Sequence, residues 1–516
     1  MSRLAAPVAT LCVVATDPPF SNFDFVEREF AGSPPIRRLF SQARSRKVRT
    51  LVIEEVPPEG AIADENSEIL QLFPDYRMVA LRRLSFWKSP FADVSAIPSL
   101  RDEDCTGWAI LKLDHCPSAG MCRWHIFESV FAKYEHPHNY VPCAKAIAFR
   151  VNDHTFRLPG VLYCQQNGLN KACAQVALRS ICSAFLDQPE LTFRRINELA
   201  FAPNQPVDPG SGLTADQIQQ VLDGLAIPNF GIYYPNLSGR QNWRRRLPYQ
   251  KVLYSGVECG CGALLTFSTA GPKALDEAHI IPIIGHTFNE DTWAPRGEGA
   301  YFQIGKEIRY IPSAAWMSSF LVHDDNFGSN LCVPKEYVRP DKADYAVALY
   351  PQGYAAPGFV AEVAASRYFY SLLKQLDGSG NRWRERLLET VDNKELILRT
   401  IAVTRDQYIA HLSTISDWKE YREEAQLVTV LASFLPEKLW MTEVSIPDLF
   451  STNLRKLGEL LLNSALTVSD KPDYSKFVLG RFPGRYVFFE RLDGRKHPRF
   501  LTAESRIESH TPMLIR

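Results

Sequence analysis

The sequence predicts an α+β protein, and three features point there. The segment Ala172–Leu186 (ACAQVALRSICSAFL) is apolar on nearly every side, the pattern of a helix sunk in a core. Two further helical periods follow it, at Leu191–Ala200 and Leu213–Leu225. Strand-like runs come only after these, at Ala263–Thr269, His279–Phe288 and Phe320–His323, an order that suggests a helix packed against an antiparallel sheet.

Taken in order, the chain divides into three parts: an N-terminal accessory α/β domain over 1–150, a central unit over 151–340, and a C-terminal accessory α/β domain over 341–516. In the first, Thr50–Val56 (TLVIEEV) and Gly107–Leu113 (GWAILKL) are short aliphatic or β-branched runs, and a Pro-Glu-Gly turn ends the former. In the second, Asn170 stands where a cap would precede the buried helix. Thr214 and Asp216 open the helix whose apolar stripe is Ile218, Val221, Leu222 and Leu225. The third opens on a linker-like stretch, YPQGYAAPG. Helical periods follow at Val360–Leu376 and Trp383–Asp392, with strand-like runs at Leu396–Val403, Leu439–Ser445 and Tyr486–Arg491. It carries no recognisable chemistry.

Composition excludes several classes. The chain has 516 residues, 46% of them apolar and 11% aromatic, enough for two to four domains with ample cores. Lys+Arg and Asp+Glu each number 58, so the formal net charge is zero. A disordered chain would combine low hydrophobicity with high net charge, and a dedicated nucleic-acid binder would be basic. No stretch approaches the ~18 uninterrupted apolar residues of a membrane span. Ala5–Ala15 has the length of a signal-peptide core. It is diluted by Ala and Thr and followed at once by Pro18 and Pro19, so it does not read as one. Eleven cysteines, an odd number, with Cys12, Cys164 and Cys182 inside apolar segments, fit a reducing compartment, and the expectation is a cytoplasmic protein.

One constellation of chemistry-bearing residues stands out. Cys173 falls in the first turn of the buried helix, where free backbone N–H groups and the positive end of the dipole favour a thiolate. The ordinary alternative is a small buried core residue. Gln166, just upstream, is placed to donate to an oxyanion. His279 opens the run HIIPIIGH; strand alternation puts it and His286 on opposite faces unless a bulge near Pro282 resets the parity. A carboxylate at Asp324 or Asp325, at the end of the following strand, would orient the imidazole; the plain alternative is an acidic turn.

The segments QQNGLNKACAQVALRS, SGVECGCGALLTFS, HIIPIIGH and FLVHDDNFG, in that order, resemble the papain-like cysteine peptidases, and most closely the bacterial branch that includes the bacteriocin-leader (double-glycine) peptidases. The resemblance covers about residues 155–335. It implies a papain-like core, with a cysteine-bearing helix on an antiparallel sheet, that cleaves a peptide or isopeptide bond in a protein or peptide substrate. Carried over by position, it implies Cys173 as nucleophile, His279 as base, Asp324 as its orienter, Gln166 as oxyanion donor, and SGVECGCGALLTFS as a strand lining the pocket. Asp324 stands four residues before Gly328, as the aspartate of the bacterial branch does; Asp325 stands three before it, as papain's asparagine does. Two spacings depart from the family. The glutamine lies seven residues before Cys173, one more than usual, so Gln165 competes with Gln166. The step of 45 positions from His279 to Asp324 is much longer than usual. It demands an inserted hairpin or lid, or else an acid supplied by Asn289 or Asp291. The same scaffold also serves acyltransferases and catalytically silent binding or sensor modules.

No cofactor is expected, since Gly-rich phosphate loops are missing. Cys259-Gly-Cys261 lacks the spacing and second pair of a structural zinc site. The basic runs Arg44–Arg49 and Trp243–Arg246 read as solvated surface, leaving neither nucleic acid nor membrane among the expected partners.

Overall fold

A computed structural model describes residues 10–14, 27–30, 32–133, 136, 138–185, 191–202, 212–234, 247–269, 278–289, 310–339, 341–375, 385, 387–389, 393, 396–415, 434–450, 453–467, 475–482, 485–492, 495–502 and 510–515. Asp291 and the basic run at 243–246 lie outside these residues.

Mixed helices and antiparallel sheets make this an α+β protein. The first sheet is a five-stranded antiparallel meander: Thr10–Val14, Thr50–Glu55, Arg77–Trp87, Cys105–Cys116 and Met121–Phe131, each paired with the next. Pro34–Ser45 packs its buried Ile36, Leu39 and Phe40 with Leu51, Phe86 and Leu111 of this sheet. A hairpin, Lys145–Val151 with His154–Gly160, follows.

The second sheet orders Gly328–Pro334, Ser319–Asp324, Ala278–Thr287, Ala263–Ser268, Ala343–Leu349 and Asn229–Tyr233, all antiparallel. It takes in Ala343–Leu349, beyond position 340, and Asn139–Tyr140, before 151, which pairs with His286 and Thr287. One face meets the helix Cys173–Cys182, with Phe193–Ala200 and Ala215–Gly224 beside it. Val176, Ala177, Leu178 and Ile181 share a cluster with Ile280, Ile284 and Leu264. That cluster continues into Val52, Trp87, Val130 and Phe156, so residues before 150 help form the core around the cysteine helix. The other face carries the helix Tyr249–Glu258, packed on Leu265, Ile281 and Ile283.

Here the structure corrects a reading of the sequence. Ser255–Glu258 ends a helix instead of forming a pocket strand, and the strand starts at Ala263. The turn between them needs Gly260 and Gly262, both at positive φ, and the N–H of Gly262 returns to the carbonyl of Gly256 at 3.0 Å, closing off the helix. Cys259 and Cys261 are buried in that turn.

The third sheet runs from Ile311–Pro312 through Ile397–Thr404, Lys438–Ser445, Gly458–Asn463, Phe477–Phe482 and Arg485–Leu492 to Arg495–Thr502. The long helix Gly358–Gln375 covers it with Tyr368, Phe369 and Leu372 against Trp440, Leu460 and Leu462. Among the described residues no helix is long and apolar enough to cross a membrane.

Candidate active site

Three elements converge at one end of the second sheet. Cys173 is the first residue of its helix and the only half-buried one in it; the nine that follow are buried. The residue before the helix is Ala172, which offers no side-chain cap. Asn170 is therefore not the cap expected from the sequence. Asn167 folds the loop first, its Oδ1 accepting the N–H groups of Leu169 at 2.8 Å and Asn170 at 3.3 Å. Among the described residues, the first turn at Cys173 thus has no N-cap side-chain hydrogen bond.

His279 sits near the start of its strand, packed edge-on against Phe267. Its imidazole shares a hydrogen bond with the Cys173 side chain and another, through Nε2, with Asp324 Oδ2 at 3.3 Å. Asp325 Oδ1 lies 3.5 Å from the same nitrogen. The 45-residue step from His279 to Asp324 does not keep them apart, because the two strands are neighbours in the sheet. The Asn289 amide donates to the Trp316 carbonyl at 2.7 Å.

The electrostatics follow from burial and partners. Burial alone would lower the affinity of His279 for a proton. The hydrogen bonds to Asp324 and Cys173 and the charges of Asp325 and Asp324 outweigh it and raise the pKa to about 10. Burial raises the Asp325 carboxyl to about 6, against the pull of the His279 charge and with the push of Asp324. Asp324 spends its second oxygen on the N–H of Asn326 at 2.8 Å, and Tyr163 donates its hydroxyl to the backbone carbonyl of Asp324 at 3.3 Å, pinning the turn. His323, one position earlier on the strand, is not part of the site. It is buried, its pKa is pushed down to about 4 by that burial, and its ring is held by the Val161 carbonyl and the Asn330 N–H.

Gln165 and Gln166 both line a cavity of about 540 Å³ beside the site, together with Arg123, Lys171, Asp325 and Asn326. Gln165 is tied to the N-terminal sheet: its Oε1 accepts the Ile126 N–H at 2.9 Å and its own N–H reaches the Ile126 carbonyl. Gln166 is half-buried and, among the described residues, carries no such strap. Sequence reasoning missed how this loop is held. Arg123 donates to the Asn167 carbonyl at 2.9 Å, and Asn167 donates to Glu65, which in turn pairs with the buried Lys112 of the first sheet. Gly168, at φ +78°, lies against the Arg123 guanidinium, and a Cβ there would collide with it. The sequence hint was the QQNG string itself, which marks a tight turn but not its partners.

The second histidine of the strand has a different setting. A register shift between Ile283 and Gly285 resets the alternation, so His286 contacts Tyr254 and Phe288 of the cluster to which Ile281 and Ile283 belong. Its Nε2 meets Glu258 at 2.8 Å, and Glu258 in turn meets Arg399 of the third sheet at 3.0 Å.

No family model matches this sequence, and no curated protein does. Among solved structures, the chain is similar to the peptidase domain of Streptococcus ComA, described as a bi-functional ABC transporter involved in a quorum-sensing pathway. That likeness is 13% identical, spans 36% of this chain and 96% of that one, and has a TM-score of 0.20.

Proposed function

We propose that the central unit is a cysteine peptidase, hydrolysing a peptide or isopeptide bond in a protein or peptide substrate. One observation carries the reading: a single imidazole is partnered by a half-buried thiol at a helix N-terminus and, through Nε2, by a carboxylate. That is the arrangement by which a sulfur is activated and the base behind it oriented.

In the proposed reaction the Cys173 proton passes to His279, and the sulfur attacks the substrate carbonyl carbon. The oxyanion is received by the Cys173 backbone N–H and the Gln166 amide. His279 then delivers its proton to the leaving amine as the C–N bond breaks, and a thioester remains on Cys173. Water, giving a proton to His279, attacks the thioester and releases the acid, and the proton returns to the sulfur. Asp324 holds the ring orientation and the charge throughout. Gln165 is the weaker oxyanion donor because its side chain is already strapped to the strand at Ile126.

The experiment is labelling of the full chain with an activated acyl or peptidyl probe, read by intact mass. Cys173 is expected to label, and His279→Ala is expected to slow the reaction by roughly 10²–10⁴-fold, the usual contribution of a general base. If a folded chain left Cys173 unlabelled by such probes, the alternative of a catalytically silent scaffold would stand instead.

A further inference from the structure

The second carboxylate is more than a thiol–imidazole pair requires. Asp324 suffices to orient His279, yet Asp325 Oδ1 also approaches Nε2, at 3.5 Å. Asp325 is 5% exposed, and among the described residues no side-chain hydrogen bond reaches its oxygens, whose neighbours are the imidazole and the backbone at Asp325 and Asn326. A buried carboxylate without such partners is costly, and a native structure tolerates one where something else completes it.

The geometry points to a cation. One donor atom from each of His279, Asp324 and Asp325 lies within 4.8 Å of the other two, and all three residues are buried. Zinc held by imidazole and carboxylate at about 2.0–2.2 Å in a tetrahedron spaces its ligand atoms about 3.4 Å apart. The Nε2 to Asp324 Oδ2 and Nε2 to Asp325 Oδ1 separations are 3.3 and 3.5 Å. Asp325 also lines the 540 Å³ cavity, which gives an ion a way in and a water molecule room as fourth ligand. We propose that His279 Nε2, Asp324 and Asp325 form a binding site for a divalent cation of the zinc class, open to the cavity at its fourth position.

The test uses the full chain, freed of metal by a chelator and titrated with Co2+ as a spectroscopic stand-in for zinc. One ion per chain with a tetrahedral ligand-field spectrum and no sulfur-to-cobalt charge-transfer band is expected, unchanged in Cys173→Ala and weakened at least about tenfold in Asp325→Asn. No saturable binding, a sulfur band that vanishes in Cys173→Ala, or an Asp325→Asn chain that binds like its parent would each overturn the site. Should Asp325→Asn fail to fold, anomalous scattering from crystals of the intact chain soaked in Co2+ decides. A peak bonded to His279 Nε2 supports the site, and a peak elsewhere or none overturns it. If Cys173 stays inert even with chelator, the peptidase reading fails while the cobalt titration still decides the site.

Discussion

The strand Ala278–Thr287 presents two histidine–carboxylate pairs seven residues apart, and their contrast is instructive. His279 has two carboxylates on one edge and a thiol as a further partner. His286, 1% exposed, has one carboxylate, and that carboxylate is shared with the Arg399 guanidinium. Burial alone would raise Glu258, but Arg399 and the bond from His286 bring it down to about 2. The neutralised pair extends through Glu443, Lys456, Glu459 and Arg481 into a buried lattice of alternating charge that ties the second sheet to the third. A histidine beside a carboxylate is therefore not in itself a reactive centre. What the pair faces next, sulfur and a cavity or guanidinium and a core, decides between chemistry and architecture.

The comparison breaks most visibly if the two histidines are removed in turn. His279→Ala should slow acyl-probe labelling of Cys173 by the hundredfold or more given above, whereas His286→Ala should leave the labelling rate within about twofold while lowering Tm. Equal effects on labelling would erase the distinction. Next in size, Arg399→Met leaves Glu258 and Glu443 buried without their guanidinium. It should cost about 3–5 kcal/mol in denaturant unfolding, with Cys173 labelling unchanged in whatever fraction remains folded. A smaller effect separates the pairs by pH. The folded pKa of His279 lies above its ordinary 6.5, at about 10. The stability that wild type holds over His279→Gln should thus be fully present below pH 6.5 and fade as pH rises through 10, measured in chelator. A gap that widened with pH would contradict the carboxylate contacts. The smallest expected change is Asn167→Ala. Removing its amide takes one hydrogen bond from Glu65 and unties the loop before Cys173, at about 1–3 kcal/mol by thermal melting.

Much of this was legible beforehand because it is written in short-range pattern. A helix apolar on all sides can only be interior, and Cys173–Cys182 is buried as the run ACAQVALRSIC demands. The strands at Ala263, Ala278 and Ser319 follow the β-branched and aliphatic runs closely. Cys173, His279 and Asp324, pointed out by residue type and order, are brought together, while Gln166 reaches the neighbouring cavity. The failures arose where local rules compete or distant segments intervene. Asn170 satisfied the rule for a cap, but Asn167 had already captured its N–H. Ser255–Glu258 looked like the start of a strand, although the glycines after it end a helix. The clamp from Glu65, Arg123 and Ile126 joins residues 39 to 102 positions apart, a span no periodicity reports. Asp325 was named only as a substitute for Asp324; that both carboxylates meet one nitrogen is a property of the turn between two strands.

The apolar cluster shared by Val52, Trp87 and Val130 with Val176 and Leu178 has a practical corollary. A fragment trimmed to begin at residue 151 would bare one flank of the cysteine helix and strip Arg179 of Glu128, its ion-pair partner. Whoever sets out to isolate the central unit alone should retain the first sheet, for dissection at that seam would yield an insoluble remnant in place of a smaller folded protein.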